Sequence, residues 1–184
     1  MLLIVGRTCT GKDTLVHELK KKGLKSVKSY TTRPRRYEEE DTHIFITPEA
    51  STLINDKVAT TVINGYEYFA TKSQVKECDI YIIDPKGMWE LIRNCPDEKF
   101  KVVYVTADKL QSLVSAVKRS SNPDEASVFY RRSASENNQF ADFERMSDTS
   151  DYIANNCQIV YRYKNDFTEE ALRRAVKAIM GDLI

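Results

Sequence analysis

Residues 2–15, reading Leu2-Leu3-Ile4-Val5-Gly6-Arg7-Thr8-Cys9-Thr10-Gly11-Lys12-Asp13-Thr14-Leu15, restrict the fold more than any other stretch. The apolar run at residues 2–5 has the length of a short buried strand. A turn bounded by Gly6 and Gly11 follows, and Leu15, Val16 and Leu19 then recur at helical spacing. Gly6 and Gly11-Lys12 stand at the spacing G-x-x-x-x-G-K, in the strand, turn and helix context that a phosphate-binding loop requires. Glycines let successive backbone N–H groups converge on a polyphosphate, and the helix N-terminus adds its positive end. Lys12 supplies a mobile point charge for the outer phosphates. Gly6, Thr8, Cys9, Thr10, Gly11, Lys12, Asp13 and Thr14 are therefore the candidate nucleotide-binding residues. Asp13 stands where Ser or Thr usually offers magnesium a hydroxyl. It reads either as a first-turn acid favoured by the helix dipole or as a magnesium ligand, with Thr14 as the substitute hydroxyl.

A chain of 184 residues can bury one substantial core. Its 28 basic and 27 acidic residues leave a net charge of +1, which excludes a chain-wide field for nucleic acid or membrane surfaces. Cys9, Cys78, Cys95 and Cys157 are scattered without a C-x-x-C pair, and only two histidines are present, so a structural zinc site is not expected. Free thiols suit a reducing cytosol. No basic segment leads into a long apolar run, so the expectation is a soluble, cytoplasmic protein without a membrane partner.

In chain order, the basic turn at residues 20–22 and Gly23 stop the first helix, and a short strand is expected over 24–28. Ser29-Tyr30-Thr31-Thr32-Arg33-Pro34-Arg35-Arg36 sets arginines and hydroxyls on a Pro-interrupted segment. Such a segment reads either as a phosphate site built of guanidinium forks or as a solvated basic loop. The acidic run at 38–41 reads as a solvated turn that can also pair with those arginines when no ligand is present. Residues 43–47 read as a strand, and Thr47-Pro48 opens a short helix. Residues 58–63 and 67–70 form a hairpin about Asn64-Gly65, suggesting a small lobe beside a parallel sheet. Thr71 reads equally as a capping-box residue and as a ligand. Asp84 ends the strand at 79–84, where it is both a natural N-cap and a ligand position of open α/β sheets. A strand is expected over 102–106, with Asp108 capping the helix that runs to about Arg119. A turn at 120–125 leads into a helix carrying Tyr130, Arg131 and Arg132, and this reads as a lid or as an exposed hairpin. A last strand over 159–163 and a final helix capped at 166–169 complete the pattern.

These pieces resemble the guanylate kinases, a branch of the P-loop nucleoside monophosphate kinases, over nearly the whole chain and in order. Residues 6–15 match that family's phosphate loop, and Ser29-x-Thr31-Thr32-Arg33-x-x-Arg36 matches its substrate-phosphate segment. The resemblance implies an α/β, three-layer P-loop fold with a central parallel sheet, a small mostly β substrate-binding lobe and a helical lid. Within a single domain it implies a core at 1–28, 79–118 and 157–184, the lobe at about 29–78 and the lid at about 119–146. It implies ATP and Mg2+ as cofactors, a nucleoside monophosphate (GMP or dGMP first) as acceptor, and a monomer or homodimer. Ser29, Arg33 and Arg36 would hold the acceptor phosphate. His43 stands where the family has a phosphate-binding Tyr, and Tyr68-Phe69-Ala70-Thr71 resembles its Tyr-Tyr-Gly-Ser/Thr element. Asp84 would lie near magnesium and substrate, and Lys12, Arg119 and Arg132 would be the catalytic cations. Metal contacts would fall to Asp13, Thr14 and Asp84. One departure bears on specificity: residues 58–63 lack the Glu with which the family reads guanine. Two other readings stay open, a ribose bisphosphate phosphokinase-like enzyme and a non-catalytic guanylate-kinase-like interaction module.

Overall fold

The computed structural model describes the chain apart from residues 36, 64, 120–122, 183 and 184 and the side chains of Arg119 and Asp182. A five-stranded sheet has the order β6-β1-β7-β9-β8. It comprises β1 (Leu2–Val5), β6 (Ile80–Ile82), β7 (Phe100–Ala107), β8 (Tyr152–Ala154) and β9 (Cys157–Asn165). All pairs are parallel except β8 with β9. β1 lies between two neighbours and is buried on both faces, which is why it reads as a continuous apolar run. Alternation sends Leu2 and Ile4 to a cluster with α1 (Lys12–Lys21) and α7 (Glu169–Asp182). Leu3 and Val5 point the other way, into a cluster with α4 (Pro85–Asn94) and the Phe140 and Phe143 rings of α6 (Glu125–Thr149).

The second sheet, order β3-β2-β5-β4, is built from β2 (Tyr30–Thr31), β3 (Ile44–Phe45), β4 (Lys57–Ile63) and β5 (Tyr66–Thr71). Val58, Ala59 and Ala70 join it to the cluster under α4. Gly65 takes a φ of 81° in the β4–β5 turn, as the hairpin reading requires. Local chemistry fixes the helix starts. Thr47 caps α2 (Pro48–Thr52), and Thr71 with Gln74 makes a capping box for α3 (Lys72–Glu77). Asp84 accepts the Gly87 N–H ahead of α4, and Asp108 receives Leu110 and Gln111 N–H groups at the start of α5 (Lys109–Arg119).

The strand pattern departs from expectation at two places. Residues 24–28 form no strand, only a single bridge from Ser26 to Ile80; Lys25 is the residue on the same face as Val27, and Ser26 and Lys28 follow Leu24 on the other, so neither face repeats an apolar residue. The edge strand β8 was not anticipated; three residues are too short to show a period. The acidic run takes the second of its two readings and pairs with the arginines. Glu38, Glu39 and Asp41 are exposed, but Glu40 is 1% exposed and bonded to Arg33. Among the described residues, no helix is long and apolar enough to cross a membrane.

Candidate functional site

The loop between β1 and α1 admits only its own glycines. A Cβ on Gly6 would lie 2.3 Å from the Val105 carbonyl oxygen, and one on Gly11 would lie 2.2 Å from Asn165 Nδ2. Gly11 also takes a φ of 92°, and Cys9 bends the loop with a φ of 58°. Gly11 is the N-cap of α1 and gives it no side-chain cap, so the first turn presents backbone N–H groups and the positive helix end. Asp13 and Thr14 are exposed there. The Arg7 carbonyl accepts from Thr10 Oγ1 at 2.9 Å and from Lys12 Nζ at 2.7 Å.

Helix α6 lies against this loop. Arg7 donates through Nε and Nη2 to the two Glu144 oxygens, at 2.7 and 2.8 Å, and through Nη1 to Asn137 Oδ1 at 2.8 Å. Its guanidinium also stands 5.1 Å over the Phe140 ring. The Arg7 hydrogen bond holds the Glu144 carboxyl below its ordinary range, and Tyr104 OH donates to it at 3.0 Å. Glu136 brings both oxygens onto the Thr8 N–H, at 3.0 and 2.9 Å. Burial pushes the Glu136 carboxyl up, in spite of that N–H and of Lys12, Arg7 and Arg132 nearby. Between the loop, the end of β7, α5 and α6 lies a cavity of about 370 Å³, lined by Thr8, Thr106, Lys109, Ser112, Phe129 and Glu136 among others.

The acceptor candidates gather on one face of the second sheet. Thr31 pairs with Phe45 and with Tyr68, and Tyr68 pairs with Thr61, so these four share a face. His43 reaches the same face: its Nδ1 is 3.0 Å from Ser29 Oγ, and its ring centroid is 5.4 Å from that of Tyr68. The Arg33 guanidinium sits 5.2 Å over Phe45 and donates to both Glu40 oxygens, at 3.1 and 2.8 Å. Glu40, and behind it Tyr68, raise the Arg33 pKa above its ordinary value. Ser29, Arg33, His43 and Tyr68 are thus brought together. Among the described residues, Arg33 Nε and Thr61 Oγ1 are buried without a hydrogen-bond partner.

Other expected residues are placed differently. Phe69 is on the opposite face, fully buried and stacked on Tyr30 at 5.1 Å, so it offers no surface to a ligand and instead supports the sheet from behind. Glu67 shares that rear face, tied to Ser51 and Lys57. Thr71 spends its acceptor on Gln74 N–H. Asp84 stands at the carboxyl end of β6 beside the loop, since Ile82 pairs with Ile4 and Ile83 N–H donates to the Ile4 carbonyl. Arg132 is half-buried on α6, one turn before Glu136. Arg119 ends α5 with its side chain outside the described residues, and Arg36 lies outside them altogether.

Three residues that hold the loop were not expected. Asn165, 6% exposed at the end of β9, donates to the Thr10 carbonyl at 2.9 Å while its Oδ1 accepts from Tyr163 OH and Phe167 N–H. Its signal was a polar residue ending a strand at the carboxyl edge of a parallel sheet. Glu136 and Glu144 were signalled only by their spacing: with Phe140 they stand at i, i+4 and i+8 on one helical face.

A glycine-bounded loop after the first strand of a mostly parallel sheet, with helices on both faces and a small second sheet alongside, is the P-loop α/β fold in the form that guanylate kinases take. Among solved structures, the guanylate kinase from Anaplasma phagocytophilum is similar to this chain over 98% of its length and 84% of that chain, with a TM-score of 0.60. Sequence identity is 13%, so the likeness is one of fold. No protein-family model and no curated protein sequence matches the chain.

Proposed function

We propose that the chain is an ATP-dependent kinase that transfers the γ-phosphoryl group to a nucleoside monophosphate, with GMP or dGMP the first acceptors to test. The observation that supports this most is the loop itself, which holds an anion: the Thr8 N–H binds a carboxylate beside an uncapped helix N-terminus. A phosphate offers the same loop more charge and more acceptors. Phosphoryl transfer asks mainly for positioning and for cations over the developing charge. Lys12 on the loop and Arg132 on α6 would supply such cations, with Arg119 as a further candidate. Ser29, His43, Tyr68 and Arg33 would receive the acceptor phosphate, joined by Arg36.

Magnesium fits the residues present. Asp84, Thr14 and Asp13 offer only oxygen donors, and Mg2+ bound with a polyphosphate needs one or two of them. The ion would be shared between these residues and the nucleotide phosphates. Once bound it would neutralise charge on the phosphates.

The base contact is neutral. Thr61 is the hydroxyl on the acceptor face of β4, and no acid stands on that strand. A neutral hydrogen bond contributes about 0.5–1.5 kcal/mol and a charged one roughly twice that, so discrimination among purine monophosphates should be weak. A coupled ADP-release assay over GMP, dGMP, AMP, dAMP, CMP, dTMP and ribose 1,5-bisphosphate tests the proposal. Turnover of a purine monophosphate supports it. Turnover of the sugar bisphosphate alone would move the acceptor class, and a folded protein that turns over nothing would be an interaction module.

A further inference from the structure

The Glu136 carboxylate sits where an anion is expected on a phosphate loop, and it reaches there from α6, 128 residues away. We propose that Glu136 is an internal occupant of this loop: its carboxylate holds the Thr8 N–H until a nucleotide phosphate replaces it, so that binding exchanges one anion for another. The proposal rests on reading the loop as a phosphate site.

A purely structural pin explains Glu136 poorly. Helix α6 is already fastened by the bidentate Arg7–Glu144 pair and by Asn137. A glutamine at 136 could accept the same Thr8 N–H without burying a charge. The charge is held at a cost, because burial outweighs every favourable neighbour and raises the carboxyl pKa. Those neighbours are Arg7 and Lys12 on the loop and Arg132 on α6, and Lys109 of α5 and Glu144 line the same cavity. What a half-buried carboxylate does that an amide does not is repel a second anion from the same donors. Nucleotide entry must therefore displace Glu136 from the face of the loop, while Arg7–Glu144 can keep α6 in place. The side chain thus sets how tightly the loop holds phosphate.

The test is calorimetric titration of the full chain with ADP and, as a probe without a base, with inorganic pyrophosphate. Wild type, Glu136→Gln, Glu136→Ala and Lys12→Ala are compared at pH 7.5 and pH 5. Both Glu136 variants should bind both probes more tightly than wild type at pH 7.5, on the order of tenfold, as removal of a like charge beside a phosphate requires. The advantage should narrow at pH 5, because the raised carboxyl takes up its proton at a higher pH than a solvent-exposed one. The glutamine variant keeps the Thr8 acceptor, so it answers the question even if the alanine variant folds poorly. Equal or weaker binding by Glu136→Gln, with Lys12→Ala impaired, would overturn the exchange and leave the phosphate loop standing. Binding that is indifferent to Lys12→Ala, or absent in every protein, would overturn the loop reading and the exchange with it.

Discussion

Replacing Arg33 by Met should destabilise the second sheet as well as weaken acceptor binding. The Arg33 and Glu40 side chains are 10% and 1% exposed, and two hydrogen bonds of 3.1 and 2.8 Å join them. Thr42 Oγ1 adds a bond of 3.0 Å to Glu40, and Arg35 donates to its carbonyl. Arg33→Met therefore removes the guanidinium that bonds both oxygens of a buried carboxylate, and breaking a buried pair in this way costs about 3–5 kcal/mol. For a chain of this size each kcal/mol is worth about 2–4 °C in Tm, so the midpoint should fall by roughly 6–20 °C. Glu40→Leu should cost a similar amount by stranding the guanidinium. The double variant Arg33→Met/Glu40→Leu removes both charges, and apolar replacements of a buried pair are often neutral, so most of the loss should return. Thermal unfolding of the four proteins closes the cycle. If each single change cost under about 1 kcal/mol and the effects added, the pair would behave as a solvent-exposed one and this reasoning would be wrong. The effect on the acceptor KM should then be read in the double variant, where loss of the charge is separated from loss of the fold.

Thr61→Val should leave stability unchanged or raise it by about 1 kcal/mol, since it removes a buried hydroxyl that has no partner, and it should lower purine selectivity; urea unfolding and kcat/KM for GMP and AMP measure the two effects. Glu144 is a carboxyl with a lowered pKa, so its contribution is present above about pH 4.5 and is lost as pH falls through its folded value. Glu144→Gln should therefore cost stability at pH 7, at about 1 kcal/mol because the side chain stays 32% exposed, and the difference should vanish in acid. Glu136 has the opposite sign. Its raised carboxyl costs stability once pH exceeds the unfolded value, so Glu136→Gln should raise Tm at pH 7 and leave it unchanged well below pH 4.5.

What was legible in the sequence was local. The four apolar residues of β1, the two glycines and the 3.6-residue spacing of Leu15, Val16 and Leu19 carry the loop's context within a short window. The hairpin turn at Gly65 and the caps at Thr47, Thr71, Asp84 and Asp108 are equally short in range. Partners far apart in the chain left no such mark. Thr8 meets Glu136 across 128 residues, and Thr10 meets Asn165 across 155. Only the topology of β7, β9 and α6 brings them together. Phe69 fell on the wrong side because motif order fixes its place along β5, whereas the register Tyr30–Phe69 against Thr31–Tyr68 decides its face. Glu40 was hidden in a run of acids whose other members are exposed.

The central claim is that Lys12 and the loop around it catalyse phosphoryl transfer to a nucleotide. The most direct measurement is formation of ADP and nucleoside diphosphate from ATP and GMP by wild type and by Lys12→Ala, with the fold of both checked by their unfolding transitions. Lys12 Nζ donates to the loop's own Arg7 carbonyl and the residue lies outside both apolar clusters, so its loss should spare the fold. The account predicts equimolar products from wild type and a loss of at least a hundredfold in kcat/KM, about 2.7 kcal/mol, in a variant that melts normally. Near wild-type turnover by that variant would contradict it.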